Sequence, residues 1–110
     1  MAEPTLTEVF GTGATQDATT ITIRKSDLAA VGLTAIANNR AESIVVALLK
    51  LWTLNLTEIA RTQDLVNRNV SAIYQGQDLV DQSSQSYRRD IYGVLLYKQT
   101  SLATVNPDDY

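Results

Sequence analysis

The side chains that could do chemistry here are carboxylates, hydroxyls and a few cations. The sequence has 12 Asp and Glu and nine Lys and Arg, with no histidine and no cysteine. The missing histidine removes the commonest general base and the commonest metal ligand. The missing cysteine removes thiolate chemistry and disulfides, so no oxidising compartment is implied. What remains is paired-carboxylate chemistry of the kind used on glycosidic bonds, which needs two acids converging in a cleft. The closest acidic pairs are Asp78 with Asp81 and Asp108 with Asp109. Asp78 and Asp81 together with Asp90 form the one cluster that could serve. Neither pair has the turn glycine and terminal glutamate of a calcium loop, so solvated loop charge is the simpler reading and no metal or cofactor is expected.

Gly11-Thr12-Gly13-Ala14-Thr15 looks like a fragment of a phosphate loop. It lacks a third glycine, and an alternating segment follows it where a phosphate site needs a helix N-terminus, so a plain turn is expected. No nucleophile elbow, zinc spacing or Walker pattern occurs. The asparagine sequons at Asn55 and Asn69 carry no meaning without a secretory signal, and MAEPTLTEVF has neither the basic start nor the apolar run of one. The net charge of −3 and the scattered cations argue against nucleic acid. Arg88-Arg89, between Tyr87 and Tyr92, reads as salt-bridged strand charge. The longest nearly apolar stretch, 43–56, is too short to span a bilayer.

The elements that must carry these residues come from periodicity. With 110 residues, 45% apolar and 19% charged, one globular domain is expected over 1–110, with 1–4 and 101–110 as extended tails. Residues 5–10 alternate weakly and read as extended. Residues 19–25 (TTITIRK) alternate with β-branched side chains and read as a strand. Ser26-Asp27 can cap a short helical turn over 28–31 that stops at Gly32. Asn38 or Asn39 can cap the main helix over 41–54. Its apolar face runs through Ala41, Ile44, Val45, Leu48 and Trp52, yet Val46, Ala47, Leu49 and Leu51 make the other side apolar as well. Such a helix must be buried on most sides, by the rest of the fold or by another chain. Residues 55–67 fit either a second helix beginning at Thr57-Glu58 or a polar loop. A strand is expected over 69–75, a polar turn or loop over 77–86, and the strongest strand over 87–100. Its part from Ile91 to Tyr97 is apolar on both faces, as in a strand covered on both sides. The predicted class is α+β, a small antiparallel sheet packed against one long helix. Trp52, Leu49, Val46, Tyr92 and Tyr97 are the expected core and interface residues.

The stretches VFGTGATQDATTITIRKSDLAAVGL, NNRAESIVVALLKLW and SYRRDIYGVLLYKQTS, with the closing NPDDY, resemble a group of small proteins found in cyanobacteria and their phages. The shared outline is an aromatic-glycine turn, a threonine-rich strand, an Asp-Leu turn, an Ala-Glu-Ser helix and a Tyr-Arg strand ending in Tyr-Lys. It covers most of the chain and departs from the pattern around 54–70, where a turn-rich connection is expected. The resemblance implies a cyanophage virion component, made in the host cytoplasm: a tail, tail fibre or baseplate piece that packs with other virion proteins as a homo- or hetero-oligomer, without nucleic acid or membrane. It brings no functional residues. A capsid decoration (cement) protein is the alternative, and a small carboxylate-dependent enzyme a more distant one, so the expectation is a structural protein and not an enzyme.

Overall fold

Thr5 starts the first helix. Its hydroxyl accepts the Glu8 N–H at 3.2 Å, and the Glu8 carboxylate accepts the Thr5 N–H at 3.3 Å. This reciprocal capping makes α1 (Leu6–Phe10) helical, where the weak alternation had suggested an extended segment. In the computed structural model, which describes residues 2–99 and 104–110, there follow β1 (Thr15–Gln16), β2 (Ile21–Thr22), a 3₁₀ turn (Lys25–Val31), α2 (Ala41–Asn55), α3 (Glu58–Gln63), β3 (Val70–Gln82), β4 (Gln85–Leu96) and a short 3₁₀ turn (Pro107–Asp109). The α+β class is present. The sheet is divided, however, into two separate antiparallel ribbons, β1–β2 and β3–β4. No helix among the described residues is long and apolar enough to cross a membrane.

The strand expected over 19–25 shrinks to Ile21–Thr22. Asp17 takes control of the turn before it. Its carboxylate accepts N–H and hydroxyl bonds from both Thr19 and Thr20, at 2.8–3.2 Å. Those bonds hold the Asp17 carboxyl down to about 2, with the Thr19 N–H the largest cause. The helical turn ending at Gly32 is present, with Gly32 at φ 101 in the left-handed region. Ser26 and Asp27 do not cap it; Asp27 instead turns back to the glycine loop. Nor does either asparagine cap α2. Asn39 bonds the Ile36 N–H and the Thr34 carbonyl, knotting its own loop, and α2 starts at Arg40 without a side-chain cap.

Leu28, Val31, Ala47 and Leu51 bury one another where the 3₁₀ turn crosses α2, flanked by Leu33 and Leu48. The helix is therefore rotated from the face that its spacing picked out: Ala41 and Val45 are exposed, while Ala47 and Leu51 point inward. Leu56, at the end of α2, is buried beside Ala72 of β3, and the Ala72 N–H donates to the Leu56 carbonyl at 2.8 Å. Three later side chains pin the N-terminal segment through its carbonyls. The Trp52 indole N–H donates to Val9 O at 2.9 Å and the Asn55 amide to Glu8 O at 2.6 Å. These carbonyls, in the last turn of α1, have no partner within the helix itself. The Arg68 Nε donates to Ala2 O at 2.9 Å, so residues 2–4 are tied down at this point and not a free tail.

Between α2 and the long ribbon, 55–67 takes the helical option. The Thr57 hydroxyl caps α3, which stops at Gln63. The ribbon is much longer than expected. β3 runs on through the polar segment read as a loop, and only Ser83 and Ser84 form the turn, at φ 51 and 62. A two-residue turn with both φ positive matches the twist of the strands it joins. β4 ends at Leu96, short of the expected 100, although the Tyr97 N–H still bonds Asn69 O at 2.7 Å. Residues 100–103, with the expected end of the strand and start of the tail, lie outside the described residues. The strand is not covered on both sides: Val94 and Leu96 are nearly half exposed.

Arg68 is buried, with its side chain 8% exposed against 38% for its partner Glu8 at 3.3 Å. Replacing it with alanine removes charge-assisted bonds to Glu8 and to Ala2 O. Arg68→Ala is expected to lower stability by about 2 kcal/mol, read as an earlier urea unfolding midpoint with an unchanged slope.

Candidate functional site

The three acids that could have formed a catalytic cluster do not converge. Strand register places Asp78 on one face of the β3–β4 ribbon and Asp81 and Asp90 on the other. Asp78 receives a two-pronged bond from Arg89 at 2.9 and 2.6 Å, which lowers its pKa. Asp90 accepts from the Tyr74 hydroxyl at 2.7 Å and from Arg88 at 3.1 Å, and is lowered chiefly by Tyr74. Asp81 accepts from the Ser86 hydroxyl at 2.6 Å. Asp78 and Asp90 are held ionised, whereas a general acid needs a raised pKa. Arg88 and Arg89 are spent on these carboxylates, one on each face.

The glycine turn holds a carboxylate where a phosphate would have to sit. The Gly13 N–H donates to the Asp27 Oδ2 at 2.7 Å. Gly11 has φ 109, and a Cβ there would stand 2.7 Å from the Asp27 Cβ, so its backbone conformation and its close approach both call for glycine. No group of three acidic, histidine or cysteine side chains suited to a metal occurs among the described residues.

A second polar cluster had no sequence signal beyond the Thr57-Glu58 helix start. Glu58 of α3 accepts from the Tyr97 hydroxyl at 2.7 Å and from the hydroxyl of Ser71, which is fully buried. The Arg61 guanidinium lies 3.6 Å over the Tyr97 ring. Hydrogen bonds from Ser71 and then Tyr97 pull the Glu58 carboxyl down, and the same carboxylate pushes Tyr97 up. A carboxylate so stabilised is a poor base, and a sealed serine is a poor nucleophile. The group clamps α3 onto both strands.

What the fold leaves open is apolar surface. Of the expected interface residues, Trp52 is half-buried and edge-on to Phe10, with ring centres 6.4 Å apart. Tyr97 is half-buried in the clamp. Tyr92 is half-buried against Tyr74, ring centres 5.0 Å apart. Leu49 is half-buried and Val46 is 50% exposed. Val46, Leu49 and Lys50 of α2 face Tyr74, Arg88, Asp90 and Tyr92 of the ribbon across an open cleft of about 470 Å³. The structure thus brings Val46, Leu49 and Tyr92 together in one site and leaves Trp52 and Tyr97 at others.

Sequence reasoning missed the outer half of the ribbon. Gln75 is an extra residue in β3, and Gly76, at φ 117, completes a bulge that separates the base of the ribbon from its outer arm. Helices α2 and α3 both touch β3. Beyond the bulge, Leu79 is 76% exposed and Tyr87 about half exposed. The alternation of Gln77, Leu79 and Asp81 against Asp78 and Val80 is visible in the sequence, though its polar content masks it.

The total accessible surface is 8116 Å². A compact chain of this length exposes about 6,000 Å². The radius of gyration is 16.3 Å, where about 13 Å is usual. Set beside known proteins, the chain matches no family model, no curated protein and no solved structure.

Folded-state shifts in the clamp set a pH window. Glu58 is lowered, so its contribution is complete above its ordinary value of 4.5 and is lost as pH falls below it. Tyr97 is raised, so its contribution is complete below its ordinary value of 10.0 and is lost as pH rises through the shifted one. Urea unfolding at about pH 3, 7 and 10.5 is expected to show Tyr97→Phe with a smaller alkaline decline, since Tyr74 is raised as well, and Glu58→Gln with a weaker neutral state and a smaller acid decline.

Proposed function

We propose that this chain is a structural subunit of a phage particle, associated with its tail, fibre or baseplate, and that it works by packing against other protein chains. The observation that carries the reading is the surplus of exposed surface. About 2,000 Å² more lies open than a self-contained chain of this length exposes, and a standard interface needs only about 800 Å² from each partner. Much of that surface is apolar: Val45, Val46 and Leu54 on α2, Ile59 on α3, and Leu79, Tyr87, Val94 and Leu96 on the ribbon. These exposed apolar side chains lie on α2, on α3 and on both faces of the ribbon, where they are available for contact with other chains.

The resemblance to small cyanobacterial and cyanophage proteins supplies the setting. The chemistry agrees with it in a limited way. The acids are paired with cations or hydroxyls, the serine at the clamp is sealed, and the glycine turn is filled by Asp27. Asp27, Glu58, Asp78 and Asp90 each hold two segments of the chain together.

The test is composition of purified cyanophage particles separated into heads and tails and analysed by mass spectrometry for this chain. Recovery with tails in a fixed ratio is the expected result. Recovery with heads supports the decoration-protein alternative, and absence from both overturns the particle reading.

A further inference from the structure

The outer arm of the ribbon, residues 76–91, projects beyond the base with both strand edges unpaired among the described residues. An isolated two-stranded ribbon is at best marginally stable in water. Yet this one keeps every row to Gln82–Gln85, with two non-glycine residues in left-handed conformations at its tip. One face of the arm presents Leu79, with Asp81 two residues on; Asp81 has a hydroxyl partner, Ser86, and no ion pair among the described residues. On the same face of the ribbon, where Arg88 and Asp90 form part of the wall, the cleft against α2 presents Val46 and Leu49 with Lys50, which is exposed and has no ion pair among the described residues. The arm carries an apolar knob beside a lone anion. The cleft carries an apolar floor beside Lys50, next to the Arg88–Asp90 pair.

We infer that the β3–β4 arm of one copy lies in the α2 cleft of a second copy, with Leu79 against Val46 and Leu49 and Asp81 against Lys50. This rests on the reading of the chain as a packing subunit and names the partner: the chain itself. The cleft, about 470 Å³, has room for a few side chains and not for a folded domain, so the occupant must be a slender element such as this arm. Within one chain the pairing does not form, because Asp81 is not among the residues that line the cleft. The surplus surface is more than one standard interface requires from each copy. Exchange can be mutual, closing a dimer, or head-to-tail, closing a ring, and both use the same contacts.

The experiment is light scattering of the purified full chain over a concentration series, up to about 100 µM. The wild type is expected to form a discrete oligomer. Replacing residues 80–87 by a two-residue Asn-Gly turn, which removes Asp81 but keeps the bulge and the Leu79–Arg88 row beside the cleft, is expected to leave the chain folded and to weaken association by about tenfold or more. Asp81→Lys and Lys50→Asp should each weaken association by about tenfold, and the double exchange should recover most of it. A monomeric wild type, an oligomer unaffected by the shortened arm, or single exchanges whose effects simply add would each overturn the inference. None of these results touches the particle reading, which fails only on particle composition.

Discussion

Leu28, Val31, Ala47 and Leu51 close around one another where the 3₁₀ turn meets α2, and the remaining elements are arranged around that contact. It is a small core. Among the described residues the further buried apolar side chains are Ala14, Leu56 and Ala72, so two of the three are alanines. One side of α2 is used up by this contact. The ribbon meets α2 and α3 mainly through β3, and Arg88, Asp90 and Tyr92 of β4 face α2 across an open cleft. With so few apolar side chains inside, the hydrophobic term available to the lone chain is limited. The surface it fails to bury is the same surface that a neighbouring chain can bury.

Polar contacts do the work of joining the peripheral pieces. Trp52, Asn55 and Arg68 donate to backbone carbonyls of Ala2, Glu8 and Val9, fastening the N-terminal segment to α2 and to the start of β3. Glu58 gathers Ser71 and Tyr97, tying α3 to both strands. Asp27 holds Gly13 and fixes the glycine turn against the 3₁₀ turn. These bonds satisfy groups that would otherwise be left without partners near the interior, and that is where their energetic value lies. They engage Asp27, Glu58 and the buried Ser71, while Val46 and Leu79 remain exposed.

Much of the architecture was legible in the residues. The central helix, the stop at Gly32, the start at Thr57-Glu58 and the strand through Ile91–Leu96 follow from spacing and capping residues. The helical α1 was legible too, through the Thr5-x-x-Glu8 pair, but weak alternation in a six-residue window outweighed it. The length of the ribbon was hidden because Asp78, Asp81, Arg88 and Arg89 are strand residues held by cross-strand pairing, and such pairing does not show in local composition. The rotation of α2 was hidden for a related reason: a helix apolar nearly all round does not say which side its own chain will cover. At the candidate site, Val46, Leu49 and Tyr92 came from the sequence. Lys50 and the arm did not, since their significance depends on the bulge at Gly76 and on what the fold leaves uncovered.

The central claim is that the fold is completed by a neighbouring copy of the chain. The most direct measurement is the unfolding midpoint of the pure protein over roughly a hundredfold range of concentration, because stability that depends on association rises with protomer concentration. The midpoint is expected to climb steadily with concentration. A midpoint that stays fixed throughout the range would mean that the single chain is complete in itself, and would contradict the account.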